Sequence, residues 1–240
     1  MNSTTDRVGV ALQSWVDVRR EQAARSEAGG RAQQGRRSAV TGGLHLAALN
    51  QLVVDEIHRT GATDLRLLTN RQATLASYYR SSKSWDLVVL KGDVPILAVE
   101  YKSMSGSEGK NLNNRADEVF GIAEDARQAE RHGILPANMR RAYIFVMGIN
   151  PDSARPVGVG SPLGSPDPIF KGASYLQRTA IMCKRMRDSG LYHLTWAVGV
   201  TEEPFSWTEP DREVGWDRFV ADLRRAFPGG TPAPNPEIAR

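Results

Sequence analysis

Apolar residues recur at close to helical spacing along five stretches of the chain, separated by segments of a different character. Spacing of this kind is typical of helices that bury one face, and a glycine after two of the stretches, Gly61 and Gly133, is typical of a helix end. The pattern predicts helices over residues 5–27, 44–59, 114–132, 173–189 and 216–227.

Between these helices lie short runs rich in β-branched and aliphatic residues, which predict strands. Two of them, 85–90 and 95–102, are separated by Lys91, Gly92 and Asp93 and predict a hairpin. The other predicted strands cover 65–68, 141–149 and 192–200. Because strands and helices interleave, we expect an α/β fold (or α+β), with a mixed sheet covered by helices on both faces.

The remaining segments indicate a single domain over residues 1–228, with no internal repeats. Residues 29–43 are rich in glycine and arginine and predict a flexible basic loop, which is either a solvated linker or a phosphate contact. Prolines and glycines over 150–172 predict a long loop, and the proline-rich stretch 229–240 a disordered tail.

Composition says more about the cellular compartment of the protein than about its function. The chain has 31 Lys and Arg against 27 Asp and Glu, a net charge of +4 that permits a nucleic-acid partner without requiring one. A single cysteine, Cys183, excludes an intramolecular disulfide and a cysteine-rich zinc site. No apolar stretch is long enough to span a membrane and the first residues lack a secretory pattern, so we expect a bacterial cytoplasmic protein.

The segment WDLVVLKGDVPILAVEYKS carries the candidate chemistry. Asp86 opens one predicted strand, and Glu100 and Lys102 lie two residues apart on the next, so that their side chains point to the same face. Charges on a largely apolar strand are costly unless they are paired or bind a metal ion. The alternative is a hairpin with a structural Glu–Lys pair.

Hydrolysis of a phosphodiester needs charge neutralisation at the phosphate and an activated water. Two carboxylates can hold Mg²⁺ through oxygen ligands, and we assign this role to Asp86 and Glu100, with the Tyr101 carbonyl oxygen as a further ligand. Lys102 would orient or help deprotonate the attacking water and offset negative charge in the transition state. Asp86, Glu100 and Lys102 are therefore the candidate catalytic residues.

Two polar segments offer side chains for contact with DNA. The first follows the catalytic strand and supplies amide and cationic groups that match base edges in the major groove, although Asn113 or Asn114 could instead cap the following helix. The second lies at a predicted helix start, where phosphate contact is favoured over base contact. The candidate residues are Lys110, Asn111, Asn113, Asn114 and Arg115 in the first segment, and Lys171, Ser174, Tyr175, Gln177 and Arg178 in the second.

Other candidates are weaker. Tyr78, Tyr79 and Arg80 precede the catalytic hairpin and would either line a groove or belong to the core and surface. The spacing of the four histidines does not indicate a shared metal site. The sequence contains neither a phosphate-binding glycine loop nor a nucleophile motif, so a metabolic enzyme has no support.

Four blocks in order give the chain a resemblance to the XhoI-type restriction endonucleases of the PD-(D/E)XK nuclease superfamily. These blocks are WDLVVLK, AVEYKS, NLNNRADEVFG, and FKGASYLQR followed by GLY, within about residues 41–200. The resemblance implies a PD-(D/E)XK core and a Mg²⁺-dependent type II restriction endonuclease. It further implies a homodimer that cuts double-stranded DNA at the palindrome CTCGAG to leave 5′ overhangs, in a system with a cognate DNA methyltransferase.

The resemblance also adds one residue and leaves alternatives. Nucleases of this superfamily often take another metal-binding acid from a helix before the hairpin, which would be Glu56, although an exposed helical acid explains it equally well. The superfamily's usual proline before the aspartate is replaced by Trp85, which removes no ligand. A structure-specific or repair nuclease of the same superfamily, or a non-catalytic DNA-binding protein on the same scaffold, are the alternative functions.

Overall fold

The computed structural model describes residues 4–28, 44–160 and 163–227. The predicted basic loop 29–43 and tail 229–240 lie outside these residues. Within them the helices are α1 (Thr4–Ala28), α2 (Ala47–Arg59), α3 (Glu108–Arg131), α4 (Pro151–Ala154), α5 (Tyr175–Asp188) and α6 (Trp216–Ala226). The strands are β1 (Leu65–Thr69), β2 (Thr74–Ala76), β3 (Ser82–Ser84), β4 (Leu87–Lys91), β5 (Val94–Met104), β6 (Arg140–Gly148), β7 (Leu194–Glu202) and β8 (Phe205–Thr208). No helix among those described is long and apolar enough to cross a membrane.

Six strands form one mixed sheet in the order β1-β4-β5-β6-β7-β8. The β1–β4, β4–β5 and β7–β8 pairs are antiparallel, whereas β5–β6 and β6–β7 are parallel. Parallel neighbours need a crossover connection, and α3 and α5 lie in the two crossovers. The predicted hairpin is confirmed as β4 and β5, and Gly92 in its turn has φ +58°, a conformation that glycine adopts without strain.

Helices cover both faces of the sheet, as the alternation of elements predicts. One face packs against α1, α2 and α6 in a first core that includes Trp15, Ile57, Trp196 and Phe219. The other face packs against α3 and α5 in a second core, which includes Val119, Ala126, Phe145, Cys183 and Met186. Because β6 is buried on both faces, its sequence is a continuous apolar run rather than an alternating one. Cys183 is fully buried, and burial raises the pKa of its thiol.

The hydrophobic pattern missed several short or polar elements. Helix α3 begins at Glu108, six residues before the predicted start, so Asn113 and Asn114 lie inside the helix and the explanation that they cap it is wrong. The small β2–β3 hairpin and strand β8 were not predicted, because polar or very short strands lack a clear apolar alternation. The predicted long loop over 150–172 contains the short helix α4 and a 3₁₀ turn, Pro168–Phe170.

A buried arginine ties the start of β6 to α3 and to the loop before β7. The Arg141 side chain is 2% exposed and its guanidinium pairs with Glu130. The same group donates to the carbonyl oxygens of Leu191 at 2.8 Å and Gly190 at 3.2 Å. Burial lowers the pKa of this arginine, and the Glu130 charge acts in the opposite direction. The arginine therefore joins three segments in a region with little access to water.

We expect Arg141→Met to lower the free energy of unfolding by about 3–5 kcal/mol, because it removes the buried guanidinium and leaves the largely enclosed Glu130 without its partner charge. The neighbouring variant Arg140→Met, at an exposed position on the same strand, should change stability by no more than about 0.5 kcal/mol. Urea denaturation of the two variants measures both values. Equal stability of the two would show that the buried pair contributes nothing to the fold.

Candidate active site

The β4–β5 hairpin brings the predicted catalytic residues together on one face of the sheet. Its register pairs Leu87 with Val99, and the Asp86 N–H donates to the Val99 carbonyl oxygen at 3.1 Å, so Asp86 lies opposite Glu100. Val99 and Tyr101 point into the first core. By alternation, Glu100 and Lys102 point to the opposite face of the sheet.

Glu100 is the most enclosed charge of the site, with 2% of its surface exposed. Its Oε1 atom accepts from Lys102 Nζ at 2.6 Å, and its Oε2 atom accepts from Lys83 Nζ at 3.0 Å. Ionised groups are tolerated at such depth only when they are paired, and here an ammonium group faces each carboxylate oxygen. The Glu–Lys pair of the structural alternative is therefore present, together with a second lysine that the sequence pattern had not singled out.

Asp86 is exposed as a residue, whereas Glu100 is buried. Its Oδ2 atom accepts from the Tyr101 N–H at 2.7 Å. The surrounding protein removes water from the carboxylate and Glu100 lies nearby, and these two causes raise the pKa of Asp86 from 3.8 to about 6. The Tyr101 hydrogen bond and the two lysines act in the opposite direction. A cation bound here would relieve the repulsion between the carboxylates.

Tyr101 lies beyond the last paired residues of β4 and β5. Pairing of the two strands ends at Leu87 and Val99. The N–H and carbonyl groups of one strand residue point to the same edge, and the Tyr101 N–H meets the Asp86 side chain there instead of a ladder partner. Its carbonyl oxygen therefore faces the same edge as Asp86. The Tyr101 ring is buried on the other face, where its hydroxyl donates to Asn50 at 3.2 Å.

These groups fit a hard divalent cation. Asp86, Glu100 and the Tyr101 carbonyl provide oxygen ligands only, which suits Mg²⁺ better than a softer metal. Across the residues that the structure describes, no cluster of three or more His, Cys, Asp and Glu side chains could hold a metal ion. Two carboxylates are nevertheless enough for Mg²⁺, which usually retains several waters and takes oxygen from a bound phosphate.

Lys83 is the site residue that reasoning from sequence missed. It belongs to β3, a strand of three residues in the two-stranded sheet with β2, and its side chain is 16% exposed. A lysine between two serines has no periodicity that indicates burial. Its only indication in the sequence is its position three residues before Asp86.

The segment before β3 is held against α3 by one buried carboxylate. Asp125 Oδ1 accepts from the N–H groups of Tyr78 at 2.8 Å and Tyr79 at 2.9 Å, and its Oδ2 atom accepts from Arg80 Nε at 2.7 Å. The Tyr78 ring stacks on His132 at 4.3 Å between centroids. These contacts fix the chain that leads to Lys83. Tyr79, with 67% of its surface exposed, is the more accessible of the two aromatic residues.

Glu56 lies apart from the other proposed metal ligands. It is 3% exposed, and its Oε1 atom accepts from Arg7 at 2.7 Å and from Arg59 at 3.0 Å. Its helix, α2, packs on the first-core face, whereas Glu100 and Lys102 point to the second. The expectation of an exposed acid is wrong, and the two ion pairs account for its burial.

The first predicted DNA-binding segment forms the start of α3. Lys110, Asn113 and Asn114 are exposed on this helix. Asn111 Nδ2 donates to the Gly106 carbonyl oxygen at 3.0 Å, and Arg115 pairs with Glu118 at 2.5 Å. The exposed members therefore present amide and ammonium groups to solvent, whereas the other two support the local structure.

The second predicted segment is partly occupied by structural contacts. The Ser174 hydroxyl accepts from the Gln177 N–H at 3.2 Å, and the Gln177 side chain accepts from the Ser174 N–H at 2.8 Å, a capping box at the start of α5. Arg178 donates to the carbonyl oxygens of Val157 at 2.9 Å and Gly158 at 3.0 Å. Lys171 is exposed. Within this segment Lys171 is thus the more accessible cation.

The two segments meet at a cleft of about 810 Å³ between α3 and α5. Asn113, Tyr175 and Arg178 line it together with the loop around Gly158. The helices approach closely here, since a Cβ atom at Gly109 would lie 2.6 Å from the Tyr175 hydroxyl oxygen. The structure therefore joins two stretches that are about sixty residues apart in the chain.

Comparison with known proteins gives one family and several relatives. The family model described as restriction endonuclease XhoI matches residues 25–204. The type II restriction enzyme XhoI of Xanthomonas vasicola is 36% identical over 161 residues, which cover 65% of this chain and 65% of that enzyme. The type II restriction enzyme BstVI of Geobacillus stearothermophilus is 34% identical over 161 residues, covering 63% and 71% respectively. No solved structure matches the chain.

We expect Glu100→Gln to lower the pKa of Asp86 from about 6, because the substitution removes the nearby negative charge and leaves both lysines in place. Titration of ¹³C-labelled aspartate carboxyl groups by NMR measures this pKa directly. Glu203→Gln, at a surface position, is the matched control and should leave the titration midpoint unchanged. An unchanged midpoint in Glu100→Gln would mean that the two carboxylates do not interact.

Proposed function

This chain belongs to the XhoI restriction endonuclease family, and from that premise we propose that it is a type II restriction endonuclease that hydrolyses phosphodiester bonds in double-stranded DNA. The observation that carries the proposal is the buried Glu100 carboxylate. Lys102 donates to one of its oxygens, and Asp86 lies opposite it, directly before strand β4. The four sequence blocks and the matched residues 25–204 support the same activity.

The proposed cofactor is Mg²⁺, held by Asp86, Glu100 and the Tyr101 carbonyl oxygen. When bound there, such an ion would offset negative charge on the scissile phosphate and lower the pKa of a water ligand. The Tyr101 N–H holds Asp86 Oδ2, which fixes the orientation of that carboxylate before any ligand arrives. Preorganised ligands of this kind keep the reacting phosphate in one position. Glu56 remains an outer candidate that would first have to leave its two arginines.

Lys102 acts on the reacting groups themselves. During hydrolysis a water oxygen bonds to phosphorus, and the bond from phosphorus to the leaving oxygen breaks. The attacking water loses a proton to solvent, and the leaving oxygen gains one from solvent. The Lys102 ammonium donates to Glu100 and is positioned by its strand, so it can also donate to the attacking water and orient it. Its positive charge offsets the charge that develops on the phosphate.

For recognition of DNA we propose direct contacts from the exposed residues of the two segments. Lys110, Asn113 and Asn114 present groups that match guanine and adenine edges, and Lys171 suits a phosphate. Asn111 and Ser174 would act by shaping the backbone at the two helix starts, since their side chains are engaged there. Tyr175 and Arg178 line the cleft and Arg115 lies on α3 beside it. The two arginines would contact DNA after leaving Glu118 and the Val157 carbonyl oxygen, respectively.

The finer assignments follow from the family. We propose that the site is CTCGAG, cut to leave 5′ overhangs, and that the enzyme acts as a homodimer, since a two-fold axis places one active site on each strand of a palindrome. A cognate methyltransferase would protect the same site in the bacterial cytoplasm. This partner is functional and need not bind the nuclease.

Digestion of a plasmid with one CTCGAG site tests the proposal, beside a copy in which that site is mutated. We expect a single cut, only in the intact plasmid, that needs Mg²⁺ and is abolished by EDTA. Cuts at other places would keep the hydrolytic activity and overturn the assigned site. No cleavage of either plasmid or of a wider DNA panel would favour a non-catalytic DNA-binding protein. Cleavage that depends on DNA structure rather than on sequence would favour a structure-specific or repair nuclease.

We expect Asp86→Ala to reduce the cleavage rate by about 100-fold or more while binding of the DNA duplex is retained, because the variant removes a metal ligand and no proposed DNA contact. Asp93→Ala is the matched control in the turn of the same hairpin, where the aspartate side chain is 94% exposed. Cleavage assays and fluorescence anisotropy separate the two effects. Full activity of Asp86→Ala would overturn the catalytic assignment.

A further inference from the structure

Lys83 occupies a position that the proposed mechanism does not use. Its ammonium group lies 3.0 Å from Glu100 Oε2 and also contacts the Ser84 carbonyl oxygen. It lies 5.3 Å from the centre of the Trp85 ring, which is 3% exposed. With a side chain only 16% exposed, this lysine is held against the most buried carboxylate of the site. An ordinary surface ion pair has neither this burial nor this aromatic contact.

Among the residues that the structure describes, the charges that meet at Glu100 and Asp86 cancel without any added ion. Lys83 and Lys102 each contact one oxygen of Glu100, and Asp86 is the second acid beside them. Two positive groups therefore balance two negative groups. A divalent cation that binds both carboxylates would add two positive charges, and it would need a Glu100 oxygen that already has an ammonium group on it.

The two lysines differ in how firmly the fold holds them. Lys102 shares strand β5 with Glu100, two residues away, inside the six-stranded sheet. Lys83 comes from β3, which pairs only with β2 in a separate two-stranded sheet, and its neighbours Ser82 and Ser84 are exposed. A long flexible lysine side chain can change partner by rotation about its own bonds, with no shift of the main sheet.

We propose that Lys83 is an exchangeable counter-charge: it neutralises Glu100 Oε2 while the site holds no cation, and it transfers to a DNA phosphate when cation and DNA bind together. The inference rests on the proposed nuclease function. Lys83 competes with the cation for Glu100 in the protein alone, and gains a new anionic partner once DNA is present. Cation and DNA consequently strengthen each other's binding, and this coupling is reciprocal.

The test measures binding rather than cleavage. Ca²⁺, which takes the same oxygen ligands as Mg²⁺, is titrated calorimetrically into the full chain with and without a CTCGAG duplex, whose integrity is checked on a gel. We expect Lys83→Met to bind Ca²⁺ at least about 5-fold more tightly than the wild type when DNA is absent, since couplings of this kind are typically 5-fold or more. DNA should strengthen Ca²⁺ binding less in this variant than in the wild type, because only the direct attraction between cation and phosphate remains.

Two further variants control the result. Lys91→Met removes an exposed lysine at the end of β4 and should bind Ca²⁺ and DNA as the wild type does. Lys83→Gln keeps a polar group that can reach the Ser84 carbonyl oxygen but carries no charge, and should reproduce the effect of Lys83→Met even if the latter folds poorly. Circular dichroism verifies that each variant is folded.

The outcomes separate this inference from the proposed function. Unchanged or weaker Ca²⁺ binding in folded Lys83→Gln, with normal binding in the wild type, would make Lys83 a permanent structural partner of Glu100 and overturn the inference alone. Absence of Ca²⁺ binding in the wild type, with or without DNA, would overturn the proposed cation site and the inference with it. Tighter Ca²⁺ binding in the neutral variants, together with a smaller strengthening by DNA than in the wild type, supports the exchange.

Discussion

The whole site depends on keeping one carboxylate charged inside a sheet that is otherwise apolar. Glu100 has almost no exposed surface, and an ionised group at such depth is costly unless it is paired. Lys102 on the same strand and Lys83 from a neighbouring hairpin supply the compensation. The same arrangement leaves Asp86, across the hairpin, close to an anion and open to solvent on one side. The proposed cation site therefore combines one enclosed acid with one more accessible acid.

Glu100 and Asp86 lie at the level of the sheet where the pairing of β5 with β4 stops and its pairing with β6 continues. Strand β5 pairs with β4 in antiparallel fashion from Val94 to Val99 and with β6 in parallel fashion from Leu97 to Met104. Leu87, the first residue of β4, lies opposite Val99, so the pairing with β4 does not continue beyond that point. Beyond that point the edge of β5 is left to the Asp86 side chain and the Tyr101 peptide. The sheet therefore provides rigid support on one side and an opening on the other. A buried acid and an accessible strand edge therefore lie side by side at this position.

Helix α3 links the candidate active site to the proposed recognition surface. It follows β5 after a short connection, carries Lys110 and Asn113 near its start, and holds Asp125 against the segment that leads to Lys83. One helix thus borders both the candidate DNA-binding cleft and the hairpin that delivers the second lysine. Because helix α5 packs beside it, with Tyr175 against Gly109, the two polar segments form a single surface.

Sequence alone determined the features that follow from local spacing. Alternation along a strand puts Glu100 and Lys102 on one face, the turn at Gly92 folds Asp86 back beside them, and apolar periodicity predicts the helices that cover the sheet. Only the tertiary structure decided which distant groups meet there. Lys83 joins the site, Glu56 is held elsewhere by Arg7 and Arg59, and Ser174 and Arg178 are engaged in supporting contacts. The physical reason is that a charged side chain takes the partner that packing brings within reach, and no periodicity in the sequence encodes that encounter.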